Sequence, residues 1–198
     1  ESGTANQTGE RPVLNHPALA TASTMLSESG IVAYPTEYCY GLGCDPMNQG
    51  AVRRILQLKR RAWWLGLIVI AADLRQLASL IDLSRKDLLQ QPRETWPGPH
   101  TWLLPALPGT PRLIRGEHNA VAVRITAHPI ARTLCRRFGS AIVSTSANRS
   151  GRPPLRTSHQ VRTEFGGVID FIWDGPVGRT TGPSSIRDAK SGKWVRGG

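Results

Sequence analysis

Apolar residues recur along this chain in two rhythms. From Pro17 to Ser29 they put Ala18, Ala22, Met25 and Leu26 on one helical face, and Gly30 supplies the stop. Ile31 to Tyr34 is a short continuous apolar run, the pattern of a buried strand. Helical spacing returns from Ala51 to Lys59 at Val52, Ile55, Leu56 and Leu58, and the helix ends in the basic triplet Lys59-Arg60-Arg61. Cations are favoured there by the helix dipole, so part of the triplet is explained by capping alone. Leu67 to Ala72 is another apolar run of strand length, followed by helical stretches over Asp73 to Ile81 and Ser84 to Gln91. Strands over Trp102 to Leu104 and Ala120 to Ile125 flank a loop rich in Pro and Gly. A helix over Ile130 to Phe138, a strand over Ala141 to Ser144, a helix over His159 to Phe165 and a strand over Val168 to Trp173 complete the series. Strands and helices alternate through short links, which predicts an α/β fold with a twisted mixed sheet under helical cover.

The polar interruptions carry the chemistry. The strand Ala141-Ile142-Val143 runs directly into Ser144-Thr145-Ser146-Ala147-Asn148, and an apolar strand that ends in hydroxyls and an amide delivers them to a sheet edge, where α/β proteins build ligand sites. Read alone, the same run is an ordinary strand end followed by a loop. Pro35-Thr36-Glu37 and Gly41-Leu42-Gly43 follow another apolar run. Arg124 stands inside the apolar strand Ala120 to Ile125, where an arginine needs a partner unless it snorkels from an edge.

Composition narrows the classes. The 198 residues suit one domain, which at this size buries roughly 70% of its unfolded surface. Pro105 to Arg115 and Asp174 to Pro183 are rich in Pro and Gly, but neither marks a strong boundary; one domain is expected over residues 16–198, after a polar, flexible leader over residues 1–15. No stretch approaches the ~20 apolar residues of a membrane helix, and the polar start is neither a secretory signal nor an anchor. Cys39, Cys44 and Cys135 form no CxxC pair and the five histidines never fall at zinc-ligand spacing, so a reducing cytoplasm and no structural metal are expected. The formal charge is +11 and the pI about 10.7. Fifteen of the twenty-five basic residues lie from Arg112 onward, among them Arg149, Arg152 and Arg156 in one loop. This is either a solubilising surface or the footprint of a polyanion. There is no Walker A loop, and Gly41-x-Gly43 is no dinucleotide fingerprint, so any nucleotide is gripped in another way.

These pieces resemble the YrdC/Sua5 family of threonylcarbamoyl-AMP synthases. The resemblance covers six motifs in the family's order: P-T-E-x-x-x-G-L-G at Pro35 to Gly43, K-x-R at Lys59 and Arg61, and W-P-G-P-x-T at Trp96 to Thr101. The others are A-V-R-x-x-x-H-P at Ala122 to Pro129, S-T-S-A-N-x-S-G at Ser144 to Gly151, and P-S-x-I-x-D at Pro183 to Asp188. It implies a YrdC-like single domain of the short type. It also implies a nucleotidyltransferase that makes L-threonylcarbamoyl-AMP and pyrophosphate from L-threonine, bicarbonate and ATP, with Mg2+ accompanying ATP, for the t6A37 modification of tRNA. By resemblance Lys59 and Arg61 are the catalytic cations; Arg61, Ser144, Asn148, Thr157 and Arg196 bind ATP; Thr36, Arg124, Ser146 and Ser184 hold threonine. The product would pass to a downstream threonylcarbamoyl transferase complex. The chain departs from the family pattern at Ala62 (usually proline), at Leu65 (usually lysine or asparagine, with Arg60 as a substitute cation) and at Tyr38 (usually small or threonine). Trp63 and Trp64 either stack on a base or cover apolar surface. Two other readings remain open: a non-catalytic tRNA or double-stranded RNA binding module of the same fold, and a pseudo-enzyme created by the changes at 62 and 65.

Overall fold

A computed structural model describes residues 13, 14 and 16–197. The elements in chain order are α1 (Pro17–Ser27), β1 (Val32–Pro35), β2 (Tyr40–Gly43), α2 (Gln49–Lys59), a 3-10 turn (Trp63–Leu65), β3 (Val69–Ala71) and a second 3-10 turn (Leu74–Leu77). Then come α3 (Lys86–Thr95), β4 (His100–Pro105), α4 (Arg112–Arg115), β5 (Ala120–Ile125), α5 (Pro129–Phe138), β6 (Ile142–Val143) and β7 (Thr145–Ser146). The series closes with α6 (Ser158–Phe165), β8 (Phe171–Ile172), β9 (Ser185–Asp188) and β10 (Trp194–Arg196).

The strands form two mixed sheets, where the spacing of apolar runs predicts one. The smaller has the order β7-β2-β1-β8 and the larger β10-β9-β4-β5-β3-β6. The apolar runs build strands buried on both faces, as expected: in β1 and the residue before it, Ile31 and Ala33 enter one core cluster while Val32 and Tyr34 enter the other. That second cluster is where α1 and α5 pack, through Leu19, Ala22 and Leu26 against Ile130, Ala131 and Leu134. The buried Tyr34 hydroxyl donates to the Val143 carbonyl at 3.0 Å and so ties the two sheets together.

Several expectations need correction. β2, β9, β10 and α4 were not predicted; two glycines in the four residues of β2 and the polar character of β9 hide their pairing. The third helix begins at Lys86 and runs on through Pro92 to Thr95. Of the strand expected over Val168 to Trp173, Phe171 and Ile172 pair with β1. The leader expected over residues 1–15 lies outside the described residues apart from Val13 and Leu14, and Val13 packs against the second core cluster. All three cysteines are buried and free, and burial pushes each thiol pKa up, that of Cys39 to about 11. Among the described residues no helix is long and apolar enough to cross a membrane.

Candidate functional site

The site is built where the hydroxyl run passes from one sheet to the other. Ile142 and Val143 pair with β3 in the larger sheet, Thr145 and Ser146 with β2 in the smaller, and Ser144 stands at the crossing with its N–H donated to the Ile68 carbonyl at 2.8 Å. β2 approaches this seam closely enough that only glycine fits at Gly43, where a Cβ would lie 2.6 Å from the Val143 carbonyl oxygen and 2.7 Å from Tyr34. Gly43 is therefore a packing residue of the seam.

Asn48 caps the start of α2, accepting from Ala51 N at 3.0 Å, and the helix carries the basic triplet to the seam. Arg60 ends it in the left-handed region at φ 51°, so the triplet splits three ways. Lys59 is 3% exposed, and its ammonium donates to the Ser146 carbonyl, the Asn148 carbonyl at 2.9 Å and Asn148 Oδ1 at 3.0 Å. In return Ser150 N donates to the Lys59 carbonyl at 2.8 Å. Lys59 thus braces the 144–150 segment from behind. Burial, and secondarily the charge of Arg61, pull its pKa down to about 8. Arg60 is exposed. Arg61 turns back, donates Nε and Nη2 to the Gly66 carbonyl at 3.2 and 3.0 Å, and lines a cavity.

That cavity has a volume of about 350 Å3 and is walled by Thr36, Glu37, Tyr38, Arg61, Arg124, Ser144, Ser146, Ser184 and Arg196, among others. Arg124 Nη1 lies 2.6 Å from Glu37 Oε2, with the two side chains 8% and 11% exposed. Glu37 Oε1 accepts from Thr126 Oγ1 at 2.8 Å and Ala127 N at 2.9 Å. Burial alone would raise the Glu37 pKa; the Arg124 charge and the Thr126 bond overcome it and hold the carboxyl below its ordinary value. Arg124 Nε is buried and has no partner. At the rim, Arg196 donates Nε and Nη2 to the Ser184 carbonyl at 3.0 and 2.8 Å, and Nη2 also reaches Ser184 Oγ at 3.2 Å. Desolvation on its cavity side, then the charges of Arg61 and Arg124, pull its pKa below the ordinary arginine value. Three guanidinium groups therefore share one space.

Of the residues predicted for the site, Thr36, Arg61, Arg124, Ser144, Ser146, Ser184 and Arg196 meet on this wall, while Lys59 and Asn148 stand behind it. Thr157 is not on it: its hydroxyl caps α6, accepting from Gln160 N at 3.2 Å. The Thr36 hydroxyl donates to the Cys39 carbonyl at 2.8 Å and closes the turn between β1 and β2. Glu37 was missed, although the signal was present, since an arginine inside an apolar strand asks for a carboxylate. The segment after β8, rich in Pro and Gly, marks no domain boundary. It straps onto Glu37, with Thr180 Oγ1 donating to the Glu37 carbonyl at 2.6 Å. The loop arginines are partly engaged: Arg149 pairs with Glu164 at 2.6 Å, and the Arg156 guanidinium lies 5.0 Å over the Tyr38 ring. Trp63 packs against the core under Arg112 at 4.7 Å, whereas Trp64 is half exposed. Arg61, Leu67, Ile68 and Arg196 also line a second cavity of about 550 Å3 that opens beside the first. Among the described residues no three His, Cys, Asp or Glu side chains gather as a metal site.

Comparison with known proteins finds relatives by sequence and by fold. The model of the Sua5_yciO_yrdC family, described as "Telomere recombination", matches residues 24–198. The chain is 51% identical over 178 residues to a threonylcarbamoyl-AMP synthase of Methylococcus capsulatus, covering 90% of this chain and 96% of that one. A protein of the same name from Nitrosococcus oceani is 49% identical over 175 residues, covering 88% and 95%. Among solved structures, P. abyssi Sua5 complexed with L-threonine superposes with a TM-score of 0.80 at 36% identity, over 86% of this chain and 50% of that one. The chain thus spans about half the length of that structure. E. coli YciO, at 23% identity and a TM-score of 0.73 over 86% of this chain and 83% of that one, shares the fold.

Proposed function

We propose that this chain, which belongs to the Sua5/YciO/YrdC family, is a threonylcarbamoyl-AMP synthase that joins L-threonine, bicarbonate and ATP into L-threonylcarbamoyl-AMP. The observation that carries this reading is the cavity in which Arg61, Arg124 and Arg196 face one another while Glu37 is the one carboxylate among the described residues of its wall. A surplus of fixed guanidinium charge, framed by the hydroxyls of Ser144, Ser146 and Ser184, suits a reaction that gathers several anionic groups and stabilises charge on a phosphoryl group in transfer.

The chemistry follows. The threonine amine adds to the carbon of bicarbonate with loss of water, giving N-carboxythreonine. One oxygen of that carboxylate attacks the α-phosphorus of ATP in line; the bond from the α-phosphorus to the bridging oxygen breaks, and pyrophosphate leaves with the electron pair. As a nucleotidyltransferase the chain then needs to do three things. Arg124, fixed by Glu37, presents its remaining N–H groups to the threonine carboxylate, where a planar fork serves better than a point charge. Thr36, Ser146 and Ser184 surround the amino acid. Arg61, Arg196 and Ser144 take the nucleotide at the neck between the two cavities, and Lys59 and Asn148 hold the segment bearing Ser146 in place. Mg2+ enters as part of the ATP substrate, carried on its phosphates. The product is consumed by a downstream threonylcarbamoyl transferase complex that modifies tRNA, in the cytoplasm.

The deciding experiment is pyrophosphate release from ATP by the purified chain with each co-substrate omitted in turn. Release that requires both threonine and bicarbonate supports the synthase; ATP turnover indifferent to either would refute it, and tRNA binding without turnover would favour the RNA-binding module.

A further inference from the structure

The second cavity opens from the first between Arg61 and Arg196, and its walls add Arg115 and Lys190 to those two cations. Asp188 is the one carboxylate among the described residues lining it, and its Oδ1 accepts from the backbone of Lys190 and Ser191, both at 2.8 Å. The floor is apolar, formed in part by Leu103, Ala122 and Ile186. Leu65 stands on the same wall, 52% exposed, at the position where the resembling family carries a lysine or asparagine.

Arg115 is held beside Leu65 by direct backbone packing of two turns. Gly66 and Gly116 have φ of +69° and +67°, a region that favours glycine. A Cβ on Gly116 would lie 2.2 Å from the Trp64 carbonyl oxygen, and one on Gly66 would lie 3.1 Å from that of Arg115. Leu67 N donates to the Ile114 carbonyl at 2.9 Å and Glu117 N to the Trp64 carbonyl at 3.1 Å, closing the contact. Arg115 Nη1 donates to the His118 carbonyl at 2.8 Å, which fixes the side chain at one end and leaves Nε and Nη2 for another acceptor. Among the described residues it has no carboxylate partner.

We propose that Arg115 is a nucleotide-binding residue of this chain, placing a guanidinium on the polyphosphate end of ATP where Leu65 supplies none. The inference rests on the synthase reading. A nucleotide held at the neck by Arg61 and Arg196 extends its phosphates into one cavity or the other. Each cavity has one carboxylate on its wall, Glu37 in the first and Asp188 in the second, but the first must also hold threonine, whereas the second offers two further cations, Arg115 and Lys190. Arginine is suited to the task because its fork pairs bidentately with phosphate oxygens.

The test moves the charge from Arg115 to its neighbour on the wall. Arg115→Met keeps the length of the stem and removes the guanidinium; Leu65→Lys, added to it, restores a cation beside it on the same wall. Threonine- and bicarbonate-dependent pyrophosphate release is measured for wild type, Arg115→Met, Leu65→Lys and the double variant, alongside calorimetric titration with ATP and thermal unfolding. Arg115→Met should raise the KM and Kd for ATP roughly tenfold, the loss of about one charge-assisted hydrogen bond, with the threonine KM within about twofold. The double variant should recover most of the ATP affinity. An unchanged ATP Kd in Arg115→Met overturns the inference, as does an equal loss for ATP and threonine accompanied by a lower Tm, which would make Arg115 structural. Wild-type ATP turnover indifferent to threonine would instead overturn the synthase reading, and the ATP titration still decides the role of Arg115.

Discussion

Replacing Glu37 by glutamine removes one charge from the most buried ion pair of the site and keeps its shape. The amide oxygen can still accept from Thr126 Oγ1 and Ala127 N, as Oε1 does at 2.8 and 2.9 Å. What changes is the other atom, 2.6 Å from Arg124 Nη1, which becomes an N–H facing an N–H donor. Two unit charges about 4 Å apart at an effective dielectric of 20 attract by about 4 kcal/mol, and removing one partner of a buried pair costs about 3–5 kcal/mol because the other is left uncompensated. With two of the three contacts kept, the lower figure applies. For a domain of this length about 3 kcal/mol lowers the Tm by roughly 6–12 °C.

The pH dependence supplies a second check with a definite sign. The Glu37 carboxyl has a lower pKa in the fold than its ordinary 4.5, so its contribution is complete above 4.5 and is lost as pH falls through the depressed folded value. Calorimetric unfolding of wild type and Glu37→Gln should therefore differ most at neutral pH and converge in acid. Adding Arg124→Met to Glu37→Gln should cost less than the two single changes summed. A Tm within 2 °C of wild type at pH 7, or a gap that persists unchanged into acid, would refute the reasoning.

Three further outcomes are expected. Lys59 releases its proton at about 8 in the fold against an ordinary 10.5, so between those values unfolding takes up a proton and its contribution to stability grows with pH, while the brace on Ser146 and Asn148 loses a donor; synthase rate should fall above pH 8, and Lys59→Met should abolish both slopes in a paired pH series. Arg60→Gly relieves a left-handed residue at the end of α2 and should stabilise by about 1 kcal/mol, raising the Tm roughly 2–4 °C with activity unchanged in a pyrophosphate assay; lost activity would make Arg60 a substrate contact. If tRNA binds through the 149–156 loop, the triple change Arg149→Ser, Arg152→Ser and Arg156→Ser should flatten the salt dependence of its affinity in filter binding; an unaltered slope places any RNA contact elsewhere.

What the sequence disclosed follows from where the signal is local. Continuous apolar runs announce strands such as β1, buried on both faces, and β5, whose Ala120 and Ala122 are half-buried on one face; the 3.6-residue period announces α2 and α5. The hydroxyl run is legible because polarity follows an apolar strand without a turn between them. The division into two sheets is not, since Ser144 changes sheet without any break in the pattern of residue types. β2 is hidden for a related reason: its Gly43 answers to Tyr34 in the paired strand and to Val143 across the seam, a tertiary requirement with no trace in neighbouring residues. Thr157 carries two signals at once: the resemblance implies a nucleotide contact, while Thr157 followed by Gln160 is also a capping box, and in α6 the hydroxyl accepts from Gln160 N.

The manner in which the cations are held separates those available to a ligand from those already neutralised. Glu37 balances Arg124, yet the partners of the other basic groups are uncharged: the Gly66 carbonyl for Arg61, the Ser184 carbonyl and hydroxyl for Arg196, and two carbonyls and an amide oxygen for Lys59. Neutral acceptors orient a cation without cancelling its charge, so each keeps its field in a partly desolvated space where such fields are strong. Burial is the first cause of the lowered pKa values of Arg61, Arg196 and Lys59, and a phosphate or carboxylate beside these groups would favour their charged forms. Lys59 can therefore act on a bound phosphate through its charge while its three N–H bonds remain with Ser146 and Asn148.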